Sequence, residues 1–298
     1  MRPAGGIVAA FAVIVATGCF AISEPPARAA AAVEQPPTSA FAFQGTLTQG
    51  GLAMGVAPEG TVAVTLDDVP IDLAPDRRFL IGFGRDAPET AVVEARLANG
   101  GMVREALRVA PRKWDIQSLP SLPRGTKPTP EFLRRRAAEL ALIDAARAIR
   151  SDSQGWRQRF QWPVSGPISG VFGSQRIYAG EPGAPHSGVD IVRPAGTPIV
   201  APADGVVILA AASPFTLEGH LLMIDHGMGL SSAMLHLSRI DVAVGQKVLR
   251  GQPIGAIGAT GRATGPHLHW GMKWRDQRID PQMLAGPMPG GSGETMVR

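Results

Sequence analysis

Cysteine is almost absent from this chain of 298 residues. The single Cys19 lies in the apolar N-terminal stretch, so no disulfide can form within the chain and no thiolate zinc site is available. Any zinc would have to be held by histidine and carboxylate. Tyrosine occurs once, while glycine (36) and proline (27) are abundant. That balance favours short strands and many turns over long helices. No strong charge of either sign is present. The formal net charge of +4 would ease approach to an acidic polymer but identifies none. No nucleic-acid motif occurs, so a nucleic-acid partner is not expected. The glycine-containing loop Gly261 to Gly265 is not a phosphate loop either. No helix follows it, and the P-loop Lys and Ser/Thr are missing. Such a loop lets backbone approach a ligand closely.

The apolar run Ile7 to Ala16 is too short to span a bilayer comfortably. With Arg2 before it and Ala27-Arg28-Ala29 after it, residues 1–30 read as a secretory signal peptide. An uncleaved anchor is one alternative. Lipoprotein processing at Cys19 is another, although Ala16 departs from the usual Leu-led lipobox. On either of the first or last readings the body of the protein is exported, to the periplasm, with no transmembrane domain in the mature chain.

Residues 31–40 are a flexible lead-in of Ala, Pro, Thr and Ser. From 41 to 113 short alternating runs follow: Val62, Val64 and Leu66; Phe79, Ile81 and Phe83; Val93, Ala95 and Leu97; Val103, Leu107 and Val109. Turn signals separate them at Asp67-Asp68, at Ala74-Pro75-Asp76 and at Asn99-Gly100-Gly101. The pattern predicts a small antiparallel β-domain, sandwich-like, with no cluster that suggests chemistry. Asn99 is a turn residue rather than an amide ligand. Residues 114–155 hold a linker, through 128, and a helix. Thr129-Pro130-Glu131 opens that helix with a capping hydroxyl, Pro in the first turn and an early acid. Leu133, Ala137, Leu140, Ala141 and Ala148 are its predicted apolar face, and Arg134-Arg135-Arg136 a solvated one. Residues 156–285 turn β-rich again, and Gly286 to Arg298 reads as a disordered tail. The fold class is mainly β.

Four of the six histidines fall into three motifs. In Gly265-Pro266-His267-Leu268-His269-Trp270, a strand would point His267 and His269 to one face, and Leu268 and Trp270 to the other. His186 and Asp190 stand four apart in His-Ser-Gly-Val-Asp-Ile. Gly188, Val189, Ile191, Val192 and Pro194 argue against a helix there, and four residues along a strand also return to one face. His236 follows in Leu235-His236-Leu237-Ser238. Two imidazoles and one carboxylate, with a position left for water, make a catalytic zinc site. Two more imidazoles nearby would do acid/base work. The competing reading of His186 and Asp190 is a buried hydrogen-bonded pair. His226, in the turn Asp225-His226-Gly227-Met228-Gly229, reads as structural, and His220 as a loop residue.

These motifs, in this order and spacing, resemble the lysostaphin/LytM-type zinc endopeptidases of bacterial cell walls. The resemblance covers roughly Trp162 to Leu284. It includes Gly196-Thr197-Pro198-Ile199-Val200-Ala201-Pro202, Asp204-Gly205, Ile224-Asp225-His226-Gly227 and Thr260-Gly261-Arg262-Ala263-Thr264-Gly265-Pro266. Met234 stands where the family usually has Tyr, two residues before His236, which alters one groove wall.

The resemblance implies a β-sheet-rich fold of the duplicated hybrid motif type. It implies one Zn²⁺ per chain, bound by His186, Asp190 and His269, with His236 and His267 beside the metal as the acid/base pair. The implied substrate is a peptide in peptidoglycan, and regulators in the cell envelope are the implied partners. The N-terminal domain would be a folded spacer or, as in some members of the family, would cover the cleft until moved. The alternative is a non-catalytic regulator of the same fold that activates another wall hydrolase. Such regulators typically lose ligand residues, whereas this chain keeps all five polar positions.

Overall fold

The computed structural model describes residues 40–122 and 128–289. The expected signal peptide with Cys19, and the lead-in up to residue 39, lie outside the described residues. So do positions 290–298 of the expected disordered tail. No helix among the described residues is long and apolar enough to cross a membrane.

The first seven strands make two antiparallel sheets. One contains β1 (Ala42–Gly45), β2 (Leu52–Val56) and β5 (Arg78–Gly82); the other contains β3 (Thr61–Leu66), β4 (Val69–Ile71), β6 (Thr90–Leu97) and β7 (Met102–Arg108). Period-two patterning builds them. On β6, Ala91, Val93 and Ala95 are buried while the residues between them are less so, as a sheet with one core face requires. Val62 breaks the expected pattern and is exposed. A bulge shifts the β3–β6 register between Thr61 and Ala63, which turns Val62 outward. Asp67 and Asp68 both adopt positive φ, the conformation of the tight hairpin that joins β3 to β4.

Within the expected linker, β8 (Ile116–Leu119) pairs in parallel with β10 (Gln175–Tyr178). Helix α1 (Pro130–Ala148) is capped by the Thr129 hydroxyl, which accepts from Phe132 N–H. Its buried face differs from the predicted one. Glu139, Ile143 and Ala146 are buried, whereas Leu133 and Leu140 are exposed. The helix rests on the sheet through this narrow stripe, where Ile143 and Ala146 meet Ile208, Leu221 and Met223. Ion pairs flank it: Arg136 grips Glu218 through two contacts of 2.6 Å. Polar anchoring thus replaces the apolar face that its leucines suggest. Arg136 correspondingly turns inward from the expected solvated triplet.

The remaining strands are β9 (Ile168–Gly170), β11 (Glu181–Pro182), β12 (Gly188–Val192), β13 (Pro198–Val200), β14 (Gly205–Ala210), β15 (His220–Asp225), β16 (Leu230–Ile240), β17 (Lys247–Val248), β18 (Pro253–Ile257), β19 (His267–Trp274) and β20 (Gln277–Ile279). Short helix α2 (Pro281–Ala285) follows, and Gly286 beyond it accepts from the Trp162 indole N–H at 2.9 Å. The central sheet runs β17-β14-β15-β16-β19-β12-β9. β15 is apolar from Leu221 to Ile224 and buried throughout that stretch, as a strand covered on both faces should be. β19 instead alternates. Leu268, Trp270, Met272 and Trp274 enter the core, and Trp270 meets the Trp162 ring edge-on at 5.7 Å. The opposite face carries His267 and His269.

The N-terminal sheets grip this sheet through polar and aromatic contacts. Arg112 pairs with Asp280 at 2.9 Å, and its guanidinium lies over the Trp114 ring. Trp114 packs edge-on against Phe172, and Arg85 donates to the carbonyl of Gly173.

Candidate functional site

Adjacent strands and one loop bring five side chains together. On the antiparallel pair β12 and β19, Asp190 stands opposite His269 and Val192 opposite His267. Side chains directly opposite one another share a face of the sheet. His186 lies outside the strand, in the loop before β12. Its convergence on Asp190 therefore comes from the loop's path, not from the strand alternation that its spacing suggests. Hydrogen bonds pin that loop: His186 N–H donates to Ser174 O at 2.8 Å, and Gly173 N–H donates to His186 O at 2.9 Å.

His236 arrives by a bulge. The β15–β16 register slips where His220 pairs with Leu237 and Leu222 with Met234. His236 there has φ 65°, a left-handed conformation that costs a side chain on the order of 1 kcal/mol or more. A bulge re-aims a side chain. Here it brings the His236 ring within 4.8 Å of the His267 ring and 6.3 Å of the His269 ring.

Backbone carbonyls set the imidazole tautomers. His186 Nδ1 lies 3.1 Å from Val171 O, His236 Nδ1 2.9 Å from Thr260 O, and His267 Nδ1 2.8 Å from Gly265 O. A carbonyl can only accept, so each Nδ1 carries the proton and each Nε2 presents a lone pair. His269 is turned the other way. Its Nδ1 faces Asp190 Oδ1 at 2.8 Å and His186 Nε2 at 3.1 Å, and its Nε2 lies 3.5 Å from Ser187 Oγ. Asp190 Oδ2 is 3.1 Å from His186 Nε2.

His186, Asp190 and His269 each offer one ligand atom, and these atoms lie within 4.8 Å of one another. Two ring nitrogens and a carboxylate placed this closely could hold a cation between them. Nitrogen and carboxylate donors, with no thiolate, suit zinc. His267 Nε2 approaches Asp190 Oδ1 only to 3.9 Å, and His236 lies farther along the same face. The structure therefore gathers all five predicted residues in one place, three in ligating distance and two at its side.

Electrostatics follow from burial and from the one carboxylate. Burial works to raise Asp190, but hydrogen bonds from His186 and His269 hold it well below the ordinary carboxylate range. Burial lowers His186, yet the hydrogen bond and charge of Asp190 outweigh it and leave this imidazole above its ordinary value. His269 shares that carboxylate but is more deeply buried, and burial leaves it lowered. His236 is lowered by burial and by its cationic-capable neighbours His267 and His269.

Sequence reasoning missed the supports. Gly170 on β9 stands opposite Asp190, and a Cβ there would come within 2.5 Å of Asp190 Oδ2. The carbonyls of Val171, Thr260 and Gly265 carry no side-chain signal at all. His220 is corrected from a loop residue to the first residue of β15, half-buried, with Nδ1 3.2 Å from Ala211 O. His226 is structural: fully buried, with Nδ1 2.8 Å from Asp204 O and Nε2 2.7 Å from Ser232 Oγ.

The model of the family described as Peptidase family M23 matches residues 184–281, the span that holds all five side chains. The peptidoglycan DD-endopeptidase ShyA of Vibrio cholerae is 39% identical over 132 residues, which is 44% of this chain and 30% of that protein. The DD-carboxypeptidase/endopeptidase Mpg of Neisseria meningitidis is 39% identical over 104 residues, 35% of this chain and 24% of that protein. The chain thus spans less than a third of the length of these curated relatives. A solved structure from Pseudomonas aeruginosa, described as a peptidase M23, is similar over more of the molecule. It is 34% identical with a TM-score of 0.61, and the match covers 80% of this chain and 94% of that one.

Proposed function

Because the chain belongs to peptidase family M23, we propose that it is an exported zinc-dependent endopeptidase that cuts peptide bonds in peptidoglycan. One observation carries this reading. Three side chains that could hold a metal ion offer ligand atoms within 4.8 Å of one another, and two further imidazoles present Nε2 lone pairs beside them. Names of relatives such as ShyA and Mpg support a D,D cross-link as the bond cut. The proposal of export rests on the pattern of residues 1–30.

His186 through Nε2, Asp190 through its carboxylate and His269 through Nδ1 would hold the ion. Zinc in such a site supplies a Lewis acid that polarises a carbonyl and makes water nucleophilic near neutral pH. The Val171 carbonyl fixes the ring of His186, and the β12–β19 pairing fixes Asp190 against His269. Burial lowers His236 and Thr260 O holds its Nδ1–H, so its Nε2 can accept a proton from attacking water. His267, held by Gly265 O, would steady the oxyanion or return the proton to the leaving amine.

The test is mass spectrometry of muropeptides released from purified sacculi, with and without chelator. Cross-linked muropeptides should be split by the untreated protein and left intact after chelation. If the metal-loaded protein releases nothing, the enzyme reading falls and a wall-hydrolase regulator takes its place.

A further inference from the structure

The face of β19 that carries the histidines continues past them. By alternation, His267 and His269 are followed by Gly271 and then Lys273. Gly271 has no side chain, so the floor is open between His269 and Lys273, which lies roughly 13 Å farther along the strand. β20 sets Arg278 directly opposite Lys273. Helix α1 places Arg147 over the same groove, a hollow of about 100 Å³ that His269 and Ser187 also line.

Three cations therefore line one groove with His269, one of the candidate metal ligands. Their own partners do not neutralise them there. Arg147 reaches Asp144 only at 3.8 Å and Lys273 reaches Asp276 at 3.4 Å, and both acids are largely in solvent. Arg278 has no ion pair among the described residues. The carboxylate that lines the groove, Glu218, is already clasped by Arg136. Arg147 Nε is buried without a hydrogen-bond partner, and burial together with the charge of Arg278 pushes Arg147 below its ordinary value. Like charges set opposite one another in a sheet are destabilising, and a buried unpaired donor costs more still. An anion in the groove would relieve both.

We propose that Arg147, Lys273 and Arg278 form a carboxylate-binding subsite, which holds a free carboxylate of the peptide substrate about three or four residues from the bond at His269. The identity of the ligand as a peptide rests on the peptidase reading above. The subsite makes the sheet and α1 a ruler: an acidic peptide anchored at the cationic end extends along the Gly271 floor to the metal ligands. Arg147 in this scheme is a specificity residue supplied from outside the family-matched span of 184–281.

The test is calorimetric titration of the full chain, as purified, with an uncross-linked acidic stem peptide and with the same peptide amidated at its carboxyls. The free acid should bind at least tenfold more tightly. The double variant Arg147→Gln/Arg278→Gln should abolish that preference, and Lys273→Gln alone should reduce it. The single variants serve if the double variant melts early. With a cleavable cross-linked peptide, the same substitutions should raise KM for the free acid and not for the amide. Equal binding of acid and amide, or a preference that survives in every variant, overturns the subsite. A protein that prefers the acid but cuts no cross-link refutes the peptidase reading and leaves the subsite standing. One that cuts without preference refutes the subsite alone.

Discussion

Asp190 and His269 stand directly opposite one another on antiparallel strands, with Oδ1 and Nδ1 2.8 Å apart. The sheet itself thus sets the separation of these two groups, and the loop carrying His186 completes the set. His186→Ala and His269→Ala should each lose both bound zinc and peptidoglycan cleavage. Metal content by plasma mass spectrometry on purified protein checks the first loss and sacculus digestion the second. A variant that keeps a full equivalent of zinc would remove its residue from the ligand set.

Gly170 should matter although it contacts no ion. Its strand partner is Asp190, and a Cβ would collide with Oδ2 at 2.5 Å. Gly170→Ala must therefore displace the carboxylate or part β9 from β12. We expect metal affinity to fall by about 10–100-fold, as when the supports of a metal ligand are lost, with a small change in melting temperature. Competition with a chromogenic chelator measures the affinity. Unchanged affinity would mean that the carboxylate has room to give way.

His236 is not one of the three side chains whose ligand atoms lie within 4.8 Å of one another, so the metal should survive its removal. His236→Ala should retain zinc while cleavage falls by about 10²–10⁴-fold, the range for loss of a positioned acid or base. The two readouts must separate. Cleavage at the original rate would count against a catalytic role, and loss of zinc would make His236 a ligand.

Much of the site was legible because side-chain identity carried it. His267 and His269 face one way because β19 is a strand, and their alternation with Leu268 and Trp270 says so directly. His186 and Asp190 do approach one another, at 3.1 Å, but not through strand alternation. Their spacing suits a strand, but His186 sits in a loop held by Ser174 and Gly173 backbone, which leaves no mark in the sequence. The bulge at His236 was equally silent, since no glycine flags its positive φ. The apolar face of α1 was misread for a different reason. Burial there is narrow, and the contacts of Arg136 with Glu218, 82 residues away, decide which side turns inward.

His226 supplies a prediction about stability rather than chemistry. Burial holds its imidazole at about 4, below the ordinary 6.5, despite the Asp204 carbonyl beside it. Between those values the unfolded chain binds a proton that the folded chain refuses. Stability is therefore full above about 6.5, falls as pH drops toward 4, and levels off below that. A gap of this size corresponds to roughly 3 kcal/mol. His226→Gln can still donate to Asp204 O and accept from Ser232 but cannot titrate. Relative to the unaltered chain, it should be less stable at pH 7 and should lose that much less between pH 6.5 and 4. Urea denaturation across this window, read as the difference between the two proteins, measures the effect. Parallel curves would mean that His226 takes up its proton in the folded state as readily as in the unfolded one.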